Sequence, residues 1–231
     1  MAVYVRGDTH GDFYGTHYWC VDNNTSIDDT LVILGDAGIN YYGKKLDSKL
    51  KKDLAKEPIT FFCVHGNHEE RPANIKSYKK IYSKRFSCFG WIEPEYPNIF
   101  FPEDGQAIIE NKVCLILGGA YSIDKEYRLK RGWKWFESEQ MTEEEKERIF
   151  NFLKKNNSYD YIFSHTAPLK YEPTYLFLPF IDQSKVDKSM EKFLDKVESL
   201  ITYKEWFFGH YHDDAKINDK VTILFKDTIK L

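Results

Sequence analysis

Short runs of apolar residues, many of them β-branched or aromatic, recur along the chain and end at glycine or polar residues. The clearest runs span 3–5, 31–34, 59–64, 159–163 and 206–208. Runs of this kind predict buried β-strands. Because they are nearly continuous rather than alternating with polar residues, we expect sheets that are covered on both faces. Two further runs, 107–109 and 113–117, are separated by a short polar turn and predict a β-hairpin.

Amphipathic stretches between these runs predict helices. The lysine-rich stretch 47–56 carries leucines with a four-residue spacing and ends before Pro58. Residues 186–200 form a second amphipathic pattern, and Thr142 with a glutamate three positions later is a capping-box pattern that predicts another helix start. We interpret the basic stretch 76–85 as the solvated face of a helix.

A polar cluster follows each of the five strand-like runs, and these clusters hold five of the seven histidines: Asp8-Thr9-His10, Gly35-Asp36, Gly66-Asn67-His68, Ser164-His165 and Gly209-His210-Tyr211-His212. Each cluster alone has an ordinary interpretation, since Gly and Asn are typical of turns and histidines are common at surfaces. In open α/β sheets, however, ligands bind where strands end at their carboxyl edges. Five clusters at five such ends predict one shared crevice, with groups enough for two metal ions.

The last cluster makes a more specific prediction. His210 and His212 are alternate residues directly after a strand-like run. Alternate residues of a strand face the same side, so we expect the two imidazoles to be able to chelate one ion.

As a set, the clusters resemble the signature blocks of the calcineurin-like metallophosphoesterases, from Asp8 to His212. The resemblance implies an α/β fold, a four-layer αββα sandwich with two central mixed β-sheets flanked by helices. It also implies a dinuclear metal centre at the carboxyl ends of the strands, with one ion held by Asp8, His10, Asp36 and His212 and the other by Asp36, Asn67, His165 and His210. Asp36 would then bridge the two ions.

The chemistry of such a centre agrees with phosphoester hydrolysis. Mixed oxygen and imidazole ligands suit Mn²⁺, Fe or Zn²⁺ rather than Ca²⁺, and we expect Mn²⁺. Two ions about 3.5 to 4 Å apart share a hydroxide that exists near neutral pH and attacks phosphorus in line. The resemblance also implies that His68 is the acid for the leaving group. We therefore expect a metal-dependent phosphoester hydrolase, and within that class a phosphomonoesterase.

Two departures separate the chain from the protein Ser/Thr phosphatase branch of this family. Ile39 and Asn40 stand where that branch has a histidine-orienting Asp and a phosphate-binding Arg, so we interpret the chain as a distant relative of the branch. Arg71, Arg128 and Arg131 are candidate replacements, because a planar guanidinium bonds two phosphate oxygens at once. For each of them, an ordinary surface arginine is the alternative.

Two alternative functions follow from the same residues. A phosphodiesterase or nuclease-like enzyme acting on small nucleotides is one, and a noncatalytic interaction module on the same fold is the other. The complete set of ligand residues together with His68 argues against the noncatalytic module. A net charge of −3 and a pI near 6.2 give no general attraction to long nucleic acids or to anionic membranes.

Two aromatic segments are candidates for setting substrate choice. Segment 121–136 mixes aromatic and basic residues, and segment 171–180 is aromatic and interrupted by two prolines. The first would suit a nucleotide base and its phosphate, and the second a lid or a dimer patch. Core packing is the alternative for both and is favoured by the 16% aromatic content of the whole chain.

We expect residues 1–231 to form a single metallophosphoesterase domain, since no linker-like stretch divides them. The amino terminus passes directly into the first cluster, and on this ground we expect no signal peptide. The four cysteines are widely spaced, and we expect buried thiols rather than disulfides. These features together predict a cytoplasmic protein.

Overall fold

The computed structural model describes residues 1–231, except for the side chain of Lys44. Thirteen β-strands form the centre of the described structure. In chain order they are β1 (Val3–Arg6), β2 (Thr30–Ile33), β3 (Thr60–Cys63), β4 (Lys79–Ser83), β5 (Cys88–Ile92), β6 (Ile99–Pro102), β7 (Gly105–Ile109), β8 (Lys112–Leu117), β9 (Ser158–Ser164), β10 (Thr202–Phe208), β11 (Ala215–Lys216), β12 (Val221–Ile223) and β13 (Thr228–Lys230).

The helices lie between the strands. They are α1 (Thr16–Asp22), α2 (Lys44–Leu54), α3 (Lys125–Arg131), α4 (Glu143–Leu153) and α5 (Ser189–Leu200). Single-turn 3₁₀ helices are formed by Pro72–Asn74, Glu137–Glu139, Leu169–Tyr171, Thr174–Leu176 and Gln183–Lys185. The longest described helix, α5, has 12 residues, and no helix in the described chain combines the length and the apolarity that a bilayer span requires.

The strands form two mixed sheets. The first has the order β13-β1-β2-β3-β6-β5-β4, and the second has the order β11-β12-β10-β9-β8-β7. In the first sheet β1, β2, β3 and β6 run parallel, and in the second β8, β9, β10 and β12 do. Parallel neighbours end at the same edge, so each sheet brings several strand ends together on one side of the molecule.

Three apolar layers show how the sheets and helices stack. One layer lies between the first sheet and helices α1 and α2, and it includes Cys20, Leu31 and Leu54. A middle layer joins the two sheets, and a third packs the second sheet on α4 and α5. Neighbouring residues of one strand alternate between layers, as Leu31 and Val32 do, so the strands are buried on both faces. The four-layer sandwich that the family resemblance implies is confirmed.

Several local predictions are confirmed as well. Each of the five strand-like runs lies in or overlaps a strand, and β7 pairs with β8 as an antiparallel hairpin. Its turn residues, Glu110 and Asn111, have φ angles of 48° and 61°, the left-handed values of a tight hairpin turn. The predicted helices at 47–56 and 186–200 form as α2 and α5, and all four cysteines are buried free thiols.

The helix prediction for residues 76–85 is wrong. Lys79–Ser83 forms β4, which pairs antiparallel with β5 at the edge of the first sheet. Ile81 packs against the middle apolar layer, while Lys79 and Lys80 are exposed. Charged residues of this kind suit an edge strand because they discourage pairing with other chains. Backbone pairing with β5, which lies outside this stretch, decides the outcome.

The start of α4 yields a stability prediction. The Thr142 hydroxyl accepts the Glu145 backbone N–H at 3.2 Å, and the Glu145 carboxylate accepts the Thr142 N–H at 2.8 Å. Thr142→Ala removes the first bond and is expected to lower the free energy of unfolding by about 1 kcal/mol, measured by urea denaturation. Glu147→Ala, exposed on the same helix, is the control, with an expected change within about 0.5 kcal/mol. Equal losses in both variants would contradict the capping role.

Candidate metal centre

The predicted ligands lie at the carboxyl ends of parallel strands from both sheets. Asp8, Asp36 and Asn67 follow β1, β2 and β3, while His165 and His210 follow β9 and β10. The two sheets meet at this edge, so residues more than 200 positions apart in sequence become neighbours, as the hydrogen bond from the His210 N–H to Asp8 Oδ1 shows. Its length is 2.8 Å.

Backbone conformation at these strand ends is unusual. His10, Asp36, His210 and His212 all have left-handed φ angles, of 48°, 46°, 68° and 54° respectively. Such values are uncommon for residues other than glycine and cluster at functional sites. Glycines beside them allow close approach, because a Cβ at Gly66 would overlap the Asp36 carboxylate and one at Gly209 would overlap that of Asp8. The local sequence therefore bends the chain so that ligand groups point inward.

One half of the site joins the first and last clusters of the sequence. His212 Nε2 lies 3.3 Å from Asp8 Oδ2, and His10 Nε2 lies 3.7 Å from the same oxygen. The two Nε2 atoms are 2.8 Å apart. His10 Nδ1 lies 3.9 Å from Asp36 Oδ2. Asp8, His10 and His212 thus offer one atom each to a common point at which a metal ion can be held.

The other half of the site is more deeply buried. Asn67 Oδ1 lies 2.8 Å from His165 Nε2 and 3.1 Å from His210 Nδ1. His165 Nε2 is 3.8 Å from Asp36 Oδ1. Asp8, Asp36 and His165 form a second group whose ligand atoms converge. Asp36 therefore faces both halves, as the bridging role requires.

The donor set fits divalent cations. His165 Nδ1 donates to the Leu34 carbonyl at 2.7 Å, so in the neutral imidazole the lone pair of Nε2 is directed at the Asn67 oxygen. Two acceptors facing each other repel unless a cation lies beside both, and metal-binding histidines commonly donate their second N–H to a backbone carbonyl. Asp8 Oδ2 and Asp36 Oδ2 are buried without a hydrogen-bond partner among the described atoms. Buried carboxylate oxygens of this kind require a compensating charge.

Shifts in pKa agree with ligands that are ready to bind metal. Burial raises the pKa of Asp8, but the imidazoles of His165, His212 and His10 outweigh burial and lower it to about 2. Burial and the nearby His165 hold the pKa of His210 well below its usual value. Asp8 is thus an anion and His210 a neutral imidazole at neutral pH, which are the forms that coordinate metals.

The structure corrects the prediction for His210 and His212. Strand β10 ends at Phe208, and both histidines lie in the turn beyond it, so strand alternation does not apply. His210 faces Asn67, whereas His212 faces Asp8 and His10. The two imidazoles therefore belong to different halves of the site. Their separate assignment by the family resemblance matches this placement better than the strand argument does.

His68 lies at the border between the ligands and a cleft beside them. Its backbone N–H donates to Asp36 Oδ1 at 2.7 Å, and its ring centroid is 5.9 Å from that of His10. Burial lowers the pKa of His68, and the nearby Asp36 carboxylate opposes this effect. The side chain is therefore held beside the ligands while it also lines the open cleft.

The three candidate arginines have different surroundings. Arg71 donates to the Ser138 carbonyl at 2.9 Å and pairs with Asp104 at 3.1 Å. Arg131 packs on the Tyr127 ring, 5.0 Å from its centroid.

Arg128 pairs with Asp124 at 2.7 Å, and Asp124 belongs to the cleft wall. Arg128 also donates to the Tyr41 hydroxyl at 2.9 Å. Of the three side chains, Arg128 has the surroundings that best suit contact with a bound phosphate.

Sequence reasoning missed two residues that support the ligands. Asn67 Nδ2 donates to Ser122 Oγ at 2.8 Å, which turns the amide oxygen toward His165 and His210. Tyr211 is anchored between its histidine neighbours by contacts of its hydroxyl with Thr166 at 3.1 Å and Glu172 at 3.3 Å. Ser122 lies beyond β8, another parallel strand, so its place at the end of this strand was a usable signal. No comparable signal marked Tyr211.

A cleft of about 390 Å³ adjoins the predicted ligands, and Asp36, His68, His210 and His212 are among the residues that line it. Both aromatic segments contribute to it, through 121–124 of the first and through Glu172 and 176–178 of the second. Tyr127 and Trp133, in the rest of the first segment, are about half exposed and contact each other. Phe136 is buried. Only part of each aromatic segment therefore lines the cleft.

Carboxylates and imidazoles at the edge of a four-layer sandwich define a metal-dependent hydrolase site. A family model described as calcineurin-like phosphoesterase matches residues 1–214. The chain belongs to this family, whose members are phosphoester hydrolases with two metal ions. A search of curated proteins found no match. The protein is therefore a metal-dependent phosphoesterase, and its Asp and His groups are suited to hold the metal ions.

Metal binding can be tested without an activity assay. Ions that bind only the folded state stabilise it, by about 2.7 kcal/mol at a hundred times the dissociation constant. Added Mn²⁺ should therefore raise the melting temperature of the parent, while Asp36→Asn should lose most of this gain and most of the metal measured by elemental analysis. Asp12→Asn, an exposed carboxylate near the first cluster, is the control and should behave like the parent. Retention of metal and of the temperature shift by Asp36→Asn would exclude its role as a ligand.

Glu191 provides a prediction of pH dependence. Its carboxylate accepts the Thr166 hydroxyl at 2.9 Å, and burial, with the nearby Glu172, raises its pKa to about 7. Because the folded-state pKa is higher than the ordinary 4.5, the protonated acid is favoured by folding, and this stability is lost as pH rises through about 7. Glu191→Gln should therefore raise the melting temperature at about pH 8 by more than at about pH 5. Exposed Glu137→Gln is the control, and equal effects of Glu191→Gln at both pH values would contradict the argument.

Proposed function

We propose that the protein is a phosphomonoesterase that uses two divalent metal ions. The observation that carries this proposal is the position of His68, which borders both the ligand cluster and a cleft of about 390 Å³. A phosphate held at the ligands would direct its ester oxygen toward this cleft. The volume suits one small leaving group, and the acidic lining does not suit a long polyanion.

The proposed ligands of one ion are Asp8, His10, Asp36 and His212, and those of the other are Asp36, Asn67, His165 and His210. Converging oxygen and imidazole groups favour Mn²⁺, with Fe or Zn²⁺ as alternatives. When bound, a metal pair supplies an acidified water as nucleophile and positive charge that stabilises the phosphoryl group. Asp36 would contact both ions, because it lies near His10 in one half of the site and near His165 in the other.

The protein's own side chains would handle the leaving group. His68 would give a proton to the departing ester oxygen, which makes a poor leaving group acceptable. Its backbone bond to Asp36 fixes the position of the residue relative to the ligands. Arg128 would bind a phosphate oxygen after exchanging part of its contact with Asp124. Asn67, held by Ser122, keeps its amide oxygen on the ligand side.

A phosphodiesterase acting on small nucleotides is the second candidate. The exposed helix α3 favours it, because this helix carries Arg128, Lys130 and Arg131 beside the half-exposed rings of Tyr127 and Trp133. Rings and cations in this combination suit nucleotides. The net charge of −3 opposes binding of long nucleic acids.

We also propose that residues 1–231 act as one domain, since the middle apolar layer draws on strands of both sheets, including β13 near the carboxyl end. Four buried free thiols are compatible with a reducing compartment. A cytoplasmic location is proposed on this ground.

Direct assays distinguish the two activities. The Mn²⁺-loaded protein should be tested with 4-nitrophenyl phosphate, its bis ester, a phosphopeptide and a 2′,3′-cyclic nucleotide. Faster hydrolysis of the monoesters supports the proposal, whereas a dominant rate on the bis ester or the cyclic nucleotide supports the phosphodiesterase. Failure to hydrolyse any of these esters would contradict both.

The role of His68 makes a sharper prediction. His68→Asn should keep its metal content but lose roughly 10²- to 10⁴-fold in turnover of an alkyl phosphate, whose leaving oxygen needs a proton. The loss should be smaller with 4-nitrophenyl phosphate, because nitrophenolate leaves without help. His17→Asn, whose side chain is 63% exposed, is the control and should match the parent. An unchanged rate of His68→Asn on the alkyl ester would exclude the role.

A further inference from the structure

Part of the cleft beside the proposed ligands is lined by apolar side chains, which we call the wall. It is formed by Ile123, Leu176, Phe177, Leu178 and Val186. Ile123 and Leu178 are each 44% exposed, although they lie beside a cluster of charged and polar groups. When a ligand covers apolar surface, that surface is removed from water, and this makes the free energy of binding more favourable. The wall is therefore suited to contact an apolar group of the substrate.

Contacts around Phe177 hold this wall in place. Its ring stacks with that of Tyr211 at a centroid distance of 6.5 Å and an interplanar angle of 23°. Lys188 Nζ lies 4.6 Å from the Phe177 centroid and pairs with Glu172 at 2.6 Å. Because Tyr211 sits between two proposed ligands, the wall has a fixed position relative to the phosphate site.

The carboxylates in the cleft lining outnumber its basic side chains. The lining contains Asp124, Glu172, Asp187 and Glu191, in addition to Asp36, and one lysine, Lys188. Lys188 is already paired with Glu172, and Asp124 is paired with Arg128. Asp187 accepts from Gln140 and from the Ser189 backbone, at 3.1 and 2.8 Å, and both donors are neutral. These carboxylates would therefore repel a leaving group that carries a negative charge of its own, in addition to the charge of the phosphate.

We propose that the cleft selects phosphomonoesters whose leaving group is an uncharged, apolar alcohol of aromatic size, with Phe177 as a specificity-determining residue. This inference rests on the proposed phosphomonoesterase function. The cleft is continuous with the ligands through His68 and His210, so an ester bound there places its alcohol against the wall. Asp187 adds discrimination against leaving groups that carry an anion.

Two matched pairs of esters test size and charge. The first compares 1-naphthyl phosphate with phenyl phosphate, whose leaving phenols have similar acidity. The second compares 4-carbamoylphenyl phosphate with 4-carboxyphenyl phosphate, which differ mainly in charge. For the Mn²⁺-loaded parent, kcat/KM should favour the naphthyl ester and the carbamoyl ester, each by roughly tenfold.

Variants assign these preferences to the wall. Phe177→Ala should reduce the naphthyl preference toward unity, and Leu178→Ala, at a half-exposed position that tolerates substitution, should reduce it in part. Phe180→Ala, 77% exposed in the same segment, is the control and should keep the preference. Asp187→Asn should reduce the carbamoyl preference by several fold, while exposed Asp182→Asn should not.

The outcomes separate the two levels of the proposal. Hydrolysis of all four esters without preference, or a naphthyl preference that survives in both Phe177→Ala and Leu178→Ala, would overturn the assignment of the wall and leave the phosphomonoesterase intact. No hydrolysis of any ester by metal-loaded protein would overturn the proposed function and this inference with it.

Discussion

Buried carboxylate oxygens that lack a hydrogen-bond partner are the constraint on which the rest of the site depends. Asp8 Oδ2 and Asp36 Oδ2 have no hydrogen-bond partner among the described atoms, although both carboxylates are buried. Such an arrangement is costly in a protein interior unless cations compensate it. The sandwich tolerates it because its three apolar layers and paired strands hold the strand ends in place. Bound metal ions would supply the positive charge that these buried carboxylates need.

The backbone conformation also helps to set the positions of the proposed ligands. Four of the proposed ligand residues adopt left-handed φ angles, each costing on the order of 1–3 kcal/mol unless the surroundings enforce it. Gly66 and Gly209 lack the side chains that would exclude the Asp36 and Asp8 carboxylates. Stability is therefore lower at the strand ends than an ordinary set of turns would give. The strain keeps the groups in place before a metal arrives.

Chemistry and selectivity come from different parts of the molecule. Strand ends supply the proposed ligands, whereas the cleft wall comes from connections after β8 and β9, including 176–178. Tyr211 links the two, because it lies between His210 and His212 and stacks on Phe177. A scaffold that fixes the reaction and loops that shape the cleft can change independently. This division accounts for a recognisable ligand set beside a cleft wall that the family resemblance did not describe.

The sequence by itself determined the five strands that precede the polar clusters, the hairpin of β7 and β8, the capped helix and the order of the clusters, because apolar runs and capping residues act locally. It did not determine that 76–85 forms an edge strand, since the pairing partner β5 lies outside that stretch. Nor did it show that His210 and His212 serve opposite halves of the site, which depends on the left-handed turn after β10. The contact of Tyr211 with Thr166 was hidden as well, whereas the place of Ser122 beyond β8 was a signal that sequence reasoning could have used. These features arise only when the two sheets pack, because distances across the site are set by tertiary structure and not by spacing along the chain.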